Sequence, residues 1–244
     1  MSRTRRLVAF IGAPGVGKGT FASILCKELG WAHFNVGAVM RDHVSSGSAM
    51  GLRIKDDLAS GKLLADALVN DLAEEHIAKT LGVTGGTGAG ASVLVDGYPR
   101  TVAQAEHLLS IGARAGASVQ AVHIALERWV CVEKLLARRE CATCRRGFNS
   151  AHIVTGGFHM PAILPDEHSC PLGPGACRPD LRERSDDTRD TIERRFEAFY
   201  EQTTPVLDVF RRGGGGGGGK LQEFTVTKGV DDAPALIALL QRSG

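Results

Sequence analysis

Gly12-Ala13-Pro14-Gly15-Val16-Gly17-Lys18-Gly19-Thr20 is the stretch on which the reading of this chain turns. The apolar run Leu7 to Ile11 precedes it and reads as a buried strand. Phe21, Ile24, Leu25 and Leu29 follow at helical spacing, and Gly30 supplies the C-terminal stop. A strand, a glycine-rich turn and a helix in that order are the context of a phosphate-binding loop. Glycines let the backbone curl so that several N–H groups point inward, and the helix N-terminus adds partial positive charge. Lys18 adds a full charge that can follow phosphoryl oxygens as they move. Gly19 comes directly after Lys18 and the hydroxyl stands one place later, at Thr20. No side chain at 19 can ligate magnesium, so phosphates, waters and carboxylates must hold that ion. The competing reading is a glycine-rich turn beside a surface lysine.

Working outward, Ser92 to Val95 reads as a second buried strand that ends at Asp96. Val119–Leu126 and Leu221–Val226 read as further strands. Helices are expected over Val102–Ala115, Trp129–Arg139 and Ala233–Gln241, and helical spacing returns from Thr188 to Arg212. Phe34 to Leu81 reads as mostly helical, with breaks at Gly37, Gly47 and Gly61. Strands alternating with helices predict an α/β fold, a three-layer parallel sheet with helices on both faces. Residues 82–91 are small and predict a surface loop, and the seven glycines at 213–219 predict a floppy connection. Residues 140–180 lose periodicity and carry Cys, His, Pro and Gly, which reads as an inserted lobe.

With 244 residues the chain is long enough for one large domain, or for a core with small inserted lobes. Its 43% hydrophobic and 23% charged residues are an ordinary globular balance. A net charge of +2 gives no field for wrapping nucleic acid. No apolar stretch is long enough to span a bilayer, and the strand beginning at Leu7 leaves no room for a targeting segment. The expectation is a cytoplasmic monomer without nucleic-acid or membrane partners, with an organelle as the alternative compartment.

Of six cysteines, Cys26 and Cys131 stand alone in helix-like or apolar stretches and read as buried thiols. Cys141-x-x-Cys144 is the first half of a zinc knuckle, because that spacing lets two thiolates grip one ion. Cys170 and Cys177 are six residues apart, a poorer second half, and His159 or His168 is an alternative ligand. A structural zinc is favoured over an irregular lobe with free thiols.

The form G-x-P-G-x-G-K-G-T resembles the nucleoside monophosphate kinases, adenylate kinases in particular. Asp96-Gly97-Tyr98-Pro99-Arg100 resembles that family's DGFPR signature, Gly61-Lys62-Leu63 its GKL segment, and Arg138-Arg139 the pair at the edge of its lid. Arg184-Ser185-Asp186-Asp187 matches the R-x-D-D after the lid, with Arg195 on the next helix. These motifs stand in family order over nearly the whole chain.

The resemblance implies a core of residues 1–35, 76–139 and 184–244, an inserted helical monophosphate-binding lobe at 36–75 and a lid at 140–183. It implies magnesium-dependent, reversible transfer between ATP and AMP. ATP would be held by Gly12, Gly15, Val16, Gly17, Lys18, Gly19, Thr20, Lys134, Arg138 and the loop at Gly229. AMP would be held by Val36, Arg41, Leu63, Gly97, Arg100, Gln104, Arg184 and Arg195. Lys18, Arg100, Arg138, Arg184 and Arg195 would surround the transferring group, since phosphoryl transfer needs positioning and charge neutralisation. Asp96 would orient magnesium-bound water, and Asp186 and Asp187 would pair with lid arginines on closure. The alternatives for these acids are helix and turn capping.

Three departures bear on rate and base choice. Val36 lacks a hydroxyl that the family's S-T-G-D carries at that place, Ala38 removes its carboxylate, and Lys134 replaces an arginine that stacks on the ATP base. Gln104 points to adenine in the acceptor, against a solvent-facing alternative. GTP as donor, UMP or CMP as acceptor, and a non-catalytic nucleotide sensor are the rival readings. A zinc-dependent nucleic-acid binder is weaker, because few aromatics interleave with the lobe's arginines.

Overall fold

Leu7 to Ile11 are all buried, as they must be in a strand covered on both faces. The computed structural model describes residues 5–81, 92–144, 146–166, 180–212 and 219–242. In chain order it runs β1 (Arg6–Ile11), α1 (Lys18–Leu29), β2 (Ala32–Asn35), α2 (Val36–Ser45), α3 (Ala49–Ser60) and α4 (Asp66–Thr80). Then come β3 (Ser92–Asp96), α5 (Val102–Ala115), β4 (Ser118–Ala125) and α6 (Arg128–Leu136). The small lobe contributes β5 (Arg138–Cys141), β6 (Gly147–Asn149), β7 (Ile153–Thr155), β8 (Phe158–Met160) and β9 (Leu181–Arg182). The chain closes with α7 (Arg189–Ala198), α8 (Val206–Arg212), β10 (Lys220–Thr225) and α9 (Ala233–Gln241).

The main sheet is parallel, in the order β10-β4-β1-β3-β2. Period-two alternation along β1 divides the core between its faces. Leu7, Ala9 and Ile11 join Ile77, Leu108 and Phe210 on one side, under α4, α5 and α8. Val8 and Phe10 join Phe21, Leu25, Phe196 and Leu236 on the other, under α1, α7 and α9. The expected three-layer α/β architecture is what the chain adopts.

Several boundaries differ from expectation for identifiable reasons. Ala32–Asn35 is an edge strand; it is only four residues long, with Phe34 alone fully buried, so its sequence signal is weak. Gly37 does not break α2, because the Asn35 side chain caps that helix by accepting from Ala38 N at 2.7 Å. Helix α6 stops at Leu136, and Arg138 and Arg139 enter β5 instead. The helical stretch from Thr188 is interrupted before Pro205, which has no N–H to donate. There the chain widens over Phe199–Thr203, and Thr204 N bonds Phe199 O at 2.9 Å.

The lobe after α6 is small. Strands β6, β5 and β9 form one antiparallel sheet and β7 and β8 a hairpin. Among the described residues its own core is Cys141 and Phe148, with Cys144, Ile163 and Leu181 against them. The hairpin rests on the main body: His159 N donates to Thr227 O at 2.9 Å, and Phe158 meets Trp129 edge-on at 5.7 Å. Cys131 is buried as expected and Cys26 is half-buried; burial pushes both thiols up to about 11. The loop at 82–91, the glycines at 213–218, and Arg145, His168, Cys170 and Cys177 lie outside the described residues. No helix among the described residues is long and apolar enough to cross a membrane.

Candidate functional site

The loop between β1 and α1 forms the floor of a cleft of about 370 Å³ whose walls come from the core, from α2 and α3, and from the small lobe. Steric constraint sets the loop's composition. A Cβ on Gly12 would stand 2.4 Å from Ile124 O, and one on Gly15, at φ +89°, 2.5 Å from Cys131 O. Val16 is fully buried and anchors the loop in the core beneath. Gly17 begins α1 without a side-chain cap, so the first N–H groups of that helix are free of side-chain capping. Gly19 lies beside Asp96, with a hypothetical Cβ 3.2 Å from Oδ2, and Thr20 is exposed at the rim.

Lys18 Nζ donates to the carbonyls of Gly12 at 2.6 Å and Ala13 at 2.9 Å. Burial pushes its ammonium down to about 8, against the pull of Asp96. Near pH 9 much of the free protein therefore carries a neutral Lys18, whereas a bound polyanion favours the ammonium and raises its pKa. Nucleotide binding is expected to take up roughly half to one proton at about pH 9 and close to none at about pH 7. Titration calorimetry in buffers of different ionisation heat reads this directly, and the uptake should largely disappear in Lys18→Met.

Among the described residues the cleft is lined by eight lysines and arginines against three carboxylates, Asp96, Glu140 and Asp186. Arg100 leaves the chain just after the Tyr98–Pro99 cis peptide and donates from Nε to Gly97 O at 2.9 Å. Arg41 reaches back over the start of its own helix, its Nη1 3.2 Å from where a Cβ on Gly37 would be. Burial lowers the Arg41 guanidinium to about 10, with Arg184 adding to the effect and Asp186 opposing it. Arg195 is likewise lowered to about 10, by burial first and Arg138 second. Both stay charged at neutral pH. Cations crowded in this way are poised to receive anions.

Two aspartates hold part of that charge. Asp187 pairs with Arg138, Nε to Oδ2 at 2.7 Å, and with Arg195 at 3.3 Å. Asp186 takes both ends of Arg184 at 3.0 Å and lies 3.5 Å from Arg195. Burial works against the Asp186 carboxylate, yet Arg184, Arg195, Arg138 and Arg41 together hold its pKa below the usual carboxylate range.

Lys134 also lines the cleft, and its Nζ is 3.7 Å from where a Cβ on Gly17 would stand. Its ammonium thus overhangs the phosphate loop. Burial lowers its pKa, against the pull of Cys131 and Asp232. On the same side Gly229 (φ +63°) and Val230 face Ile153, Met160 and Pro161 of the small lobe. Asp232 shapes that loop by accepting from Thr227 N at 2.8 Å and Lys228 N at 2.7 Å. The sequence reading passed over Asp232; its signal was an acidic residue four to five places after the N–H groups it accepts from.

Not every expected acceptor residue faces the cleft. Val36 is buried in the core. Leu63 lines a smaller cavity behind Gly97 and Arg100. Gln104 is not solvent-facing: it is 2% exposed, accepts from Arg100 N at 2.7 Å and donates to Asp66 Oδ1 at 2.7 Å. It fixes the backbone that presents Arg100. Cys141 is buried, and its Sγ accepts from Cys144 N at 3.5 Å, a hydrogen bond that pulls the thiol below its usual range. Among the described residues, no group of three or more His, Cys, Asp or Glu could hold a metal.

Comparison with known proteins places this geometry. The family described as adenylate kinase matches residues 10–214. A GTP:AMP phosphotransferase of Plasmodium falciparum (isolate 3D7) is 30% identical over 236 residues, covering 96% of this chain and 95% of that protein. Adenylate kinase 1, chloroplastic, of Arabidopsis thaliana is 32% identical over 95% of this chain and 76% of its own length. The adenylate kinase of Gloeobacter violaceus is 34% identical over 85% of this chain and 87% of its own.

Proposed function

Because the chain belongs to the adenylate kinase family it is a nucleoside monophosphate kinase, and we propose how its residues divide the work of transferring a phosphoryl group from ATP to AMP. The observation that carries the reading is the cationic excess around the loop, concentrated in a chain whose net charge is only +2. Two polyanions must meet in one place for this reaction, and their repulsion is the main obstacle to it.

In this reading the loop N–H groups and Lys18 take the donor's phosphates, and Arg41 and Arg100 take the phosphate of AMP. An oxygen of that phosphate attacks the γ-phosphorus; the bond from γ-phosphorus to the bridging oxygen of the β-phosphate breaks, leaving two ADP. Lys18, Arg138, Arg184 and Arg195 offset the charge spread over the γ oxygens in flight. The phosphates displace Asp186 and Asp187 from some of their present contacts with those arginines. Magnesium, when bound with ATP, neutralises phosphate charge. Asp96, 6% exposed at the end of β3 and beside Gly19, is the carboxylate suited to its waters. The lobes at 36–75 and 140–183 close over the pair and exclude water, which suppresses hydrolysis.

ATP is the proposed donor, with Gly229 and its neighbours beside the base. Lys134 admits a second reading, GTP as donor. Its ammonium lies over the phosphate loop, so it serves phosphate rather than stacking on one base. Initial rates with ATP and GTP as donors, and AMP, UMP and CMP as acceptors, separate these readings. Turnover confined to a pyrimidine acceptor would overturn the assignment of AMP.

A structural zinc on Cys141 and Cys144, completed by Cys170 and Cys177, is proposed for the lid. The Cys141–Cys144 turn suits two thiolates on one ion. Metal analysis of purified protein should find about one zinc per chain, and a chelator should lower the melting temperature. Zinc far below stoichiometric would end the idea. A monomer in the cytoplasm is the proposed state, with an organelle as the alternative.

A further inference from the structure

Asn35, at the end of β2, makes two hydrogen bonds that join separate parts of the cleft. Its Oδ1 accepts from Ala38 N at 2.7 Å and caps α2, the helix that carries Arg41. Its Nδ2 donates to Asp96 Oδ2 at 2.6 Å, across the β2–β3 pairing in which the two residues are register partners. The amide has a single orientation here, since a backbone N–H can only donate and a carboxylate only accept.

Asp96 has other suitors. Lys18 from α1, Arg100 from the turn after β3 and His33 from β2 all lie close enough to interact with its charge. Yet Lys18 is engaged with the carbonyls of Gly12 and Ala13, and Arg100 with that of Gly97. The carboxylate is thus hydrogen-bonded by a neutral amide, Asn35, at the edge of the cleft. A hypothetical Cβ on Gly19 would stand 3.2 Å from Asp96 Oδ2 and 3.8 Å from Asn35 Nδ2, so the amide–carboxylate pair sits against the first turn of α1.

We propose that Asn35 is a positioning residue for transfer: its amide fixes the Asp96 carboxylate toward the metal–phosphate side of the cleft and locks that carboxylate to the start of the helix bearing Arg41. The proposal rests on the reading of Asp96 given above. It predicts a defect in the chemical step and in the use of magnesium, with little effect on nucleotide capture.

Asn35→Ser and Asn35→Asp test it, because each keeps an oxygen that can cap α2. Serine is too short to reach Asp96, and aspartate sets a second carboxylate against it. Both variants should lose about tenfold or more in kcat, with KM for ATP and AMP within about threefold of the parent. Calorimetry with a non-hydrolysable ATP analogue supplies a readout apart from turnover. The gain in affinity that magnesium confers should shrink by about threefold or more in each variant. On an Asp96→Asn background, Asn35→Ser should add almost nothing. Should the serine variant lose its fold, the aspartate variant carries the test, since it caps a helix as well as asparagine does. Parental kcat and parental magnesium gain in folded variants would overturn the proposal, as would losses that add in full on the Asp96→Asn background. If Asp96→Asn alone changes neither readout, the underlying reading of Asp96 fails, and that result is distinguishable from a failure confined to Asn35.

Discussion

Lys18→Met is expected to lower kcat by about 10²–10³-fold while KM for AMP stays within about threefold. The asymmetry follows from where the ammonium lies. It is held under the loop by the Gly12 and Ala13 carbonyls, and the proposed grip on the acceptor's phosphate belongs to Arg41 and Arg100. A flexible four-carbon stem lets it leave those carbonyls and track the γ-phosphoryl as charge shifts toward the β-phosphate oxygen. Arg100 is tied to Gly97 O, and Lys134 stands over Gly17. Methionine keeps the stem's bulk, so the loop should retain its shape and the variant its melting temperature. Steady-state kinetics with ATP and AMP varied independently check this. A tenfold rise in KM for AMP with unchanged kcat would place Lys18 in acceptor binding instead.

Asp187→Asn should destabilise the nucleotide-free protein by about 2 kcal/mol, and the deficit should narrow when ADP is saturating. The Asp187 side chain is 4% exposed and compensates Arg138 and Arg195, while the Arg138 side chain is 24% exposed. Breaking a wholly buried pair costs about 3–5 kcal/mol, and the water that reaches Arg138 reduces that figure. Asparagine fits the space and accepts one hydrogen bond, but it leaves the arginines short of negative charge. Phosphates supply what was removed. Urea unfolding with and without ADP measures both halves of the prediction. An equal loss in the two conditions would mean that Asp187 serves the fold alone and does not exchange places with nucleotide.

Local chemistry made the phosphate loop legible. Its glycines, its lysine and its place between strand and helix are all contained in residues 7–29, and the loop forms as read. The same holds for the turn at Asp96–Arg100 and for the Arg184–Asp187 segment, whose contacts lie mostly within a few residues or between cations and anions of evident type. What escaped the reading depends on partners far along the chain. The solvent-facing alternative for Gln104 falls only when Asp66, 38 residues earlier, is brought to its Nε2. Asn35 has no signal of its own in the sequence, and its bond to Asp96 appears only when β2 pairs with β3 and brings the two together. Strand β2 has a single buried residue, Phe34, among its four, too few for a periodic signal. The β7–β8 hairpin hid in an irregular stretch because three-residue strands carry almost no pattern, and its place is set by Trp129 and Thr227 from elsewhere in the fold.

The most direct test of the central claim is the stoichiometry of the reaction itself. Purified protein with magnesium, ATP and AMP should form two ADP for each AMP consumed and release no inorganic phosphate. With AMP left out, ATP should stay intact. Phosphate release without ADP stoichiometry, or no turnover with any monophosphate despite tight nucleotide binding, would contradict a cleft built for transfer between two nucleotides.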